Sequence, residues 1–179
     1  MFTTLKRLFS GPDPLESTAY DLYQALVAQA RLPVFYADYG VPDTVDGRFE
    51  MILMHAFAVM RRLKEGDEAH KALSQKLYDV MFMDMDRSIR ELGVSDVRVG
   101  KHMKRMMSGF YGRVDAYETG LTGDGDLADA IERNLFGTVD AKEGDVKAMV
   151  AYLEKLTGYT ANYDLTALVE GRLNFEKLN

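Results

Sequence analysis

Apolar residues recur at helical spacing through most of this chain, and nowhere do they alternate for long enough to make a strand. Tyr20, Tyr23, Leu26, Val27 and Ala30 mark a first helix, capped by Asp13, opened by Pro14 and ending near Arg31. Leu32 to Pro42 is turn-rich, with Tyr36, Tyr39 and Gly40 before Val41-Pro42. Asp43 to Gly47 then starts a helix whose body is apolar almost all round from Met51 to Met60. Ten such residues are too few to cross a bilayer, so this segment is expected at the centre of a bundle.

Gly66-Asp67 turns the chain into a long helix whose inward stripe is Leu73, Leu77, Met81, Met85, Ser88, Ile89 and Leu92. Leu92-Gly93 ends it, because glycine suits the left-handed position past a helix end, and Ser95-Asp96 opens the next. On that helix Val99, Met103, Met106, Met107, Phe110, Val114 and Tyr117 fall within an arc of roughly 100°. Farther on, Leu127, Ala130, Ile131 and Leu135 share a stripe, and a helix over Asp145 to Thr157 buries Val146, Met149, Val150 and Leu153. Leu165 to Val169 adds a turn or two. All four prolines lie at or before position 42, which leaves the remainder free to form long helices. The elements predict an all-α fold: one helical bundle of about six to eight helices over residues 13–179, without internal repeats. Residues 1–12 are set apart as a flexible or membrane-surface segment, in which Phe2, Leu5, Leu8 and Phe9 face away from Lys6 and Arg7.

Charge sharpens this picture. The chain carries a formal −6, but the first 113 residues hold 16 basic and 15 acidic side chains and the rest 6 and 13. Between Val97 and Arg113 there is no acid at all, while Arg98, Lys101, Lys104, Arg105 and Arg113 are cationic. A basic helix face backed by an acidic tail does not make the broad positive surface of a general nucleic-acid binder, so no specific nucleic acid is expected as a partner. The absence of cysteine excludes disulfides, thiolate metal sites and cysteine nucleophiles. No run is long enough to span a bilayer, and the start lacks the apolar core of a signal peptide. A cytoplasmic location, in part peripheral to the inner membrane, is the expectation.

Candidate chemistry is sparse. Gly123-Asp124-Gly125-Asp126 fails as a calcium loop, which read from Asp124 would need glycine at Asp129 and glutamate at Leu135. No HExxH, GxSxG, P-loop, dinucleotide loop or Glu-x-x-His pair occurs. His55, in the middle of the apolar run, reads as a buried neutral histidine, with a haem-ligand role as the competing possibility. No catalytic residue, metal site or cofactor is expected, and the chain is not read as an enzyme. Asp84 falls inside the inward arc of its helix, so it needs a cation; Arg48 is assigned as its partner, with Lys101 and Arg113 as the other candidates. Phe82, Met83 and Tyr111 lie off the main stripes of their helices. Together with Arg98, Lys101, Lys104, Arg105 and Arg113 they form the candidate surface for a client or partner, since methionine adapts to irregular apolar surfaces.

Three blocks carry a likeness to a known family: YGVPDTVDGRFEMILMHAFAVMRRL, LYDVMFMDMDRSIRELGVSDVRVGKHMKRMMSGFYGR and the following DAYETGL. Spanning Tyr39 to Leu121, they resemble the ubiquinol–cytochrome c chaperone family, with the middle block the most specific. The resemblance implies an all-helical chaperone that binds newly made cytochrome b and aids biogenesis of the ubiquinol–cytochrome c reductase complex. Lacking a mitochondrial presequence, the chain looks like the bacterial form. The implied partners are cytochrome b, and further the ribosome and the inner-membrane surface. Two other readings stay open at this point: a helical protein handling haem or quinone through His55 or His102, and a ribosome- or RNA-binding module built on the basic helix.

Overall fold

The computed structural model describes residues 13–175, so the segment set apart as residues 1–12 lies outside the described residues. Among them are eight helices and no strand: α1 (Pro14–Ala30), α2 (Pro33–Ala37), α3 (Val45–Leu63), α4 (Glu68–Glu91), α5 (Asp96–Thr122), α6 (Leu127–Leu135), α7 (Glu143–Ala161) and α8 (Leu165–Val169). Their starts are written in short polar side chains. Asp13 accepts from the Leu15 N–H at 3.0 Å, Thr44 from Gly47 at 3.1 Å, Asp126 from Asp129 at 3.1 Å and Asp164 from Thr166 at 2.9 Å, each filling an amide left open by the first turn. Asp67 and His70 cap α4 reciprocally. Between α4 and α5 the chain reverses at Gly93, whose φ of +76° is the left-handed conformation that glycine adopts without penalty.

The core is organised around α3. Every residue from Met51 to Met60 is buried, because α3 is packed by α1, α4 and α7 with α6 and α8 closing the remaining sides. Its amphipathic neighbours turn single stripes toward it: Ala19, Leu22 and Leu26 on α1, Leu73, Leu77 and Met81 on α4, Met149, Leu153 and Leu156 on α7. α5 packs chiefly against α4 and α6, and its second half reaches α3 through Arg113–Glu50, Phe57–Tyr117 and Arg61–Glu118. The side of α5 that carries Val97, Lys101, Lys104 and Tyr111 is left to solvent.

Two elements depart from the sequence reading. The turn-rich segment contains the five-residue α2, which Pro33 starts and whose Phe35 is driven into the core. α7 begins and ends a few residues beyond the predicted bounds, with the Thr157 hydroxyl donating back to Leu153 at 2.9 Å inside its last turns. Ser88, Leu92 and Met107, assigned to inward stripes, are exposed: Leu92 stands at the C-cap of α4, and Met107 lies at the outer edge of the α5 arc.

Candidate partner-binding surface

The α4–α5 hairpin presents the surface that sequence spacing singled out, but its residues divide among separate faces. α4 is covered on two sides, by α1 and α3 on one and by α5 on the other. Phe82, off the main stripe, is consequently buried at 5% exposure rather than offered to a client. It forms an aromatic joint with Tyr78 at 4.6 Å and Phe110 at 5.9 Å, and Phe110 in turn meets Tyr78 edge-on at 5.0 Å. Assigning Phe82 to the surface fails because a single inward stripe presumes a single packed face.

Met83 and Tyr111, each 65% exposed, do remain open, on opposite flanks of α4. Met83 lines a groove of about 500 Å³ between α1 and α4, with Tyr20, Val80 and Arg87. Tyr111 stacks on Tyr78 at 6.2 Å and lines a second groove of about 260 Å³, floored by Phe57, Met60 and Phe110 and rimmed by Lys64 and Lys71. A third apolar groove, about 650 Å³, runs between α2 and α7 over Phe35, Tyr39 and Tyr152.

The cations divide as well. Val97, Lys101, Lys104, Ser108 and Tyr111 recur at i, i+4, i+7, i+11 and i+14, one stripe on the solvent side of α5, with Arg98 and Arg105 beside it. All four of Arg98, Lys101, Lys104 and Arg105 are exposed, and none makes an ion pair among the described residues. Arg113 is different. It lies on the inward side of α5, where its Nε donates to both oxygens of Glu50 at 2.8 Å, and it is only partly exposed there. Glu50 is almost fully buried. Burial pushes its carboxyl above the ordinary value, with Arg113 pulling the other way. Arg113 is thus a structural cation, unlike the four exposed cations of α5. The signals were present: Arg113 falls on the wheel about 20° from Met106, at the edge of the inward arc, and Glu50 adjoins the apolar run of α3.

The Asp84–Arg48 pair does not form. Arg48 bonds Asp43 at 2.6 Å, an exposed partner only five residues away that it reaches at little entropic cost. Asp84 faces α1 instead, accepts from the Tyr23 hydroxyl at 2.8 Å and pairs with Arg87 one turn along its own helix. Neither Lys101 nor Arg113 reaches it.

His55 is fully buried, and both its ring nitrogens are engaged. Nδ1 donates to the Met51 carbonyl at 2.7 Å, so Nε2 is the acceptor, taking the Tyr152 hydroxyl at 2.6 Å. Burial lowers its pKa from the ordinary 6.5 to about 4, with the Met51 carbonyl acting in the opposite sense. A neutral imidazole with no free nitrogen is a packing residue and has nothing left to offer a haem iron. Among the described residues no group of three His, Asp or Glu side chains is placed to hold a metal ion, and no helix is long and apolar enough to cross a membrane.

One side of α5 thus turns cations and isolated apolar side chains to solvent. Residues 37–175 match the family described as "Ubiquinol-cytochrome C chaperone". The chain belongs to that family. The match extends well past the three blocks that carried the resemblance. A crystal structure of the Cbp3 homolog from Brucella abortus superposes with a TM-score of 0.79 at 34% identity, covering 99% of this chain and 98% of that one. Ubiquinol-cytochrome c reductase complex assembly factor 1 of Mus musculus is 25% identical over 146 residues, 81% of this chain and 50% of the mouse protein. Protein CBP3, mitochondrial, of Saccharomyces cerevisiae is 32% identical over 107 residues, 58% of this chain and 32% of the yeast one. The chain therefore spans about half the length of the mouse relative and about a third of the yeast one. The ubiquinol–cytochrome c chaperone family is one of assembly factors and not of enzymes.

Proposed function

We propose that this chain acts as an assembly chaperone for the ubiquinol–cytochrome c reductase complex and that its client is newly made cytochrome b. Membership of the chaperone family over residues 37–175 is the observation that carries this reading. The geometry supports it: a polytopic membrane protein caught before assembly exposes apolar helices, and a holding protein meets them with open apolar grooves and flexible side chains. The grooves at Met83 and Tyr111 offer such surface on the two flanks of α4, and the Phe35–Tyr152 groove offers more on the far side of the molecule. Binding leaves the client chemically unchanged, so no nucleophile or acid–base pair is required. Removing the gene from the organism that makes this chain tests the proposal. The expected result is a loss of spectroscopically visible cytochrome b and of the assembled complex, with its messenger RNA unaltered, and recovery when the wild-type chain is supplied. Normal amounts of the complex in the deletion strain would refute it.

A further inference from the structure

The corner where α4 gives way to α5 is a blunt apolar apex inside a ring of cations. Leu92 and Val97, on either side of the Gly93 reversal, are 64% and 73% exposed, far more than the packing of either helix requires. Arg98, Lys101, Lys104 and Arg105 follow at once on α5, none of them in an ion pair among the described residues. Arg90 bridges Asp86 and Asp96 and offsets part of their charge, and Glu91 is the remaining acid beside the turn. From Asp86 to Arg105 six cations stand against three acids, on a chain whose overall charge is −6.

We propose that this corner docks on an anionic lipid bilayer, with Leu92 and Val97 entering the boundary between headgroups and acyl chains while the four cations meet lipid phosphates. The combination fits a bilayer because apolar insertion and electrostatic attraction act together there, each too weak alone. A nucleic acid would be met differently. The apex is aliphatic and gives bases nothing to stack on, and Tyr111, the exposed aromatic of α5, stands about 21 Å along the helix from Val97 at 1.5 Å per residue. Docking by this corner would leave the grooves at Met83 and Tyr111 open, since they flank the helices behind it. The inference stands apart from the identity of the client, and either can fail without the other.

Co-sedimentation of the full chain with lipid vesicles tests it. Vesicles of phosphatidylcholine alone are compared with equal parts phosphatidylcholine and phosphatidylglycerol, for wild type and for the variants K101E/K104E and L92S/V97S. All four positions are exposed, and unchanged thermal melts confirm that the variants fold. The expected result is binding to the anionic vesicles only. Each cation near such a surface contributes about fivefold to partitioning, so K101E/K104E should lose at least ~25-fold. The L92S/V97S variant should lose binding most clearly at raised salt, where the charge contribution is screened. Failure to pellet with anionic vesicles, equal binding to both compositions, or wild-type behaviour of both variants would overturn the proposal. So would tight RNA binding that K101E/K104E abolishes in a chain that ignores vesicles.

Discussion

Replacing Arg113 with methionine leaves Glu50 buried without its cation, and the consequence is set by pH. An unpaired buried carboxylate costs about 3–5 kcal/mol, unless the group escapes by taking up a proton. The escape sets a ceiling. From the ordinary 4.5 of a free glutamate, protonation at pH 7 costs 2.5 pH units, or about 3.4 kcal/mol. At pH 5 the same step costs about 0.7 kcal/mol. Arg113→Met is therefore expected to destabilise the fold by about 3 kcal/mol at pH 7 and by about 1 at pH 5, once a small packing change is included. The sign follows from linkage. A carboxyl whose folded pKa is raised gives stability that is present at low pH and lost as pH rises from 4.5 toward the raised value. Urea unfolding at the two pH values, read as midpoint shifts at constant slope, measures the difference. Titration of His55 affects wild type and variant alike and cancels. Adding Glu50→Gln to Arg113→Met should remove most of the pH dependence. An equal loss at both pH values, or no loss at pH 7, would show that Glu50 is not held as an ion by Arg113.

Four further outcomes are expected. His55, held near 4 in the fold against an ordinary 6.5, binds its proton first in the unfolded chain; wild-type stability should fall by about 3 kcal/mol as pH drops from 6.5 toward 4, and His55→Gln should flatten that limb in urea titrations. Phe82→Ala should cost about 3–5 kcal/mol in chemical denaturation by emptying the aromatic joint between α4 and α5, whereas its neighbour Met83→Ala should stay within about 0.5 kcal/mol. Asp84→Asn should lower the melting temperature measurably, since Tyr23 and Arg87 both lose the carboxylate, while Arg48→Ala, at an exposed local pair, should not. In cells, Met83→Asp should impair assembly of the reductase complex without altering the chain's own thermal melt, because the position is open and the groove around it is apolar.

The fold was legible because its elements are long, strongly periodic and explicitly capped. Asp13, Thr44, Asp67 and Gly93 mark ends that need no tertiary knowledge, and the all-round apolar run of α3 can only be a centre. α2 was not legible: five residues are too short to show a period, and Phe35 alone fixes it against the core. The site was legible in composition and not in arrangement. A wheel states which residues share a side of one helix, but it does not say which neighbour covers that side. Phe82 was lost to a second packed face, Asp84 met α1 where α3 had been expected, and Met83 and Tyr111 ended on opposite flanks of α4. Each depends on the rotation of one helix against another, which long-range packing decides.

The central claim is that open apolar surface on the flanks of α4 holds cytochrome b while it awaits assembly. Photo-reactive side chains placed at Met83 and at Tyr111, with Val139 as a control on another exposed stretch, test it most directly in growing cells. The account predicts crosslinked adducts that mass spectrometry identifies as cytochrome b at one or both α4-flank positions and not at Val139. Adducts to cytochrome b that are absent at both flank positions, or equally abundant at Val139, would contradict it.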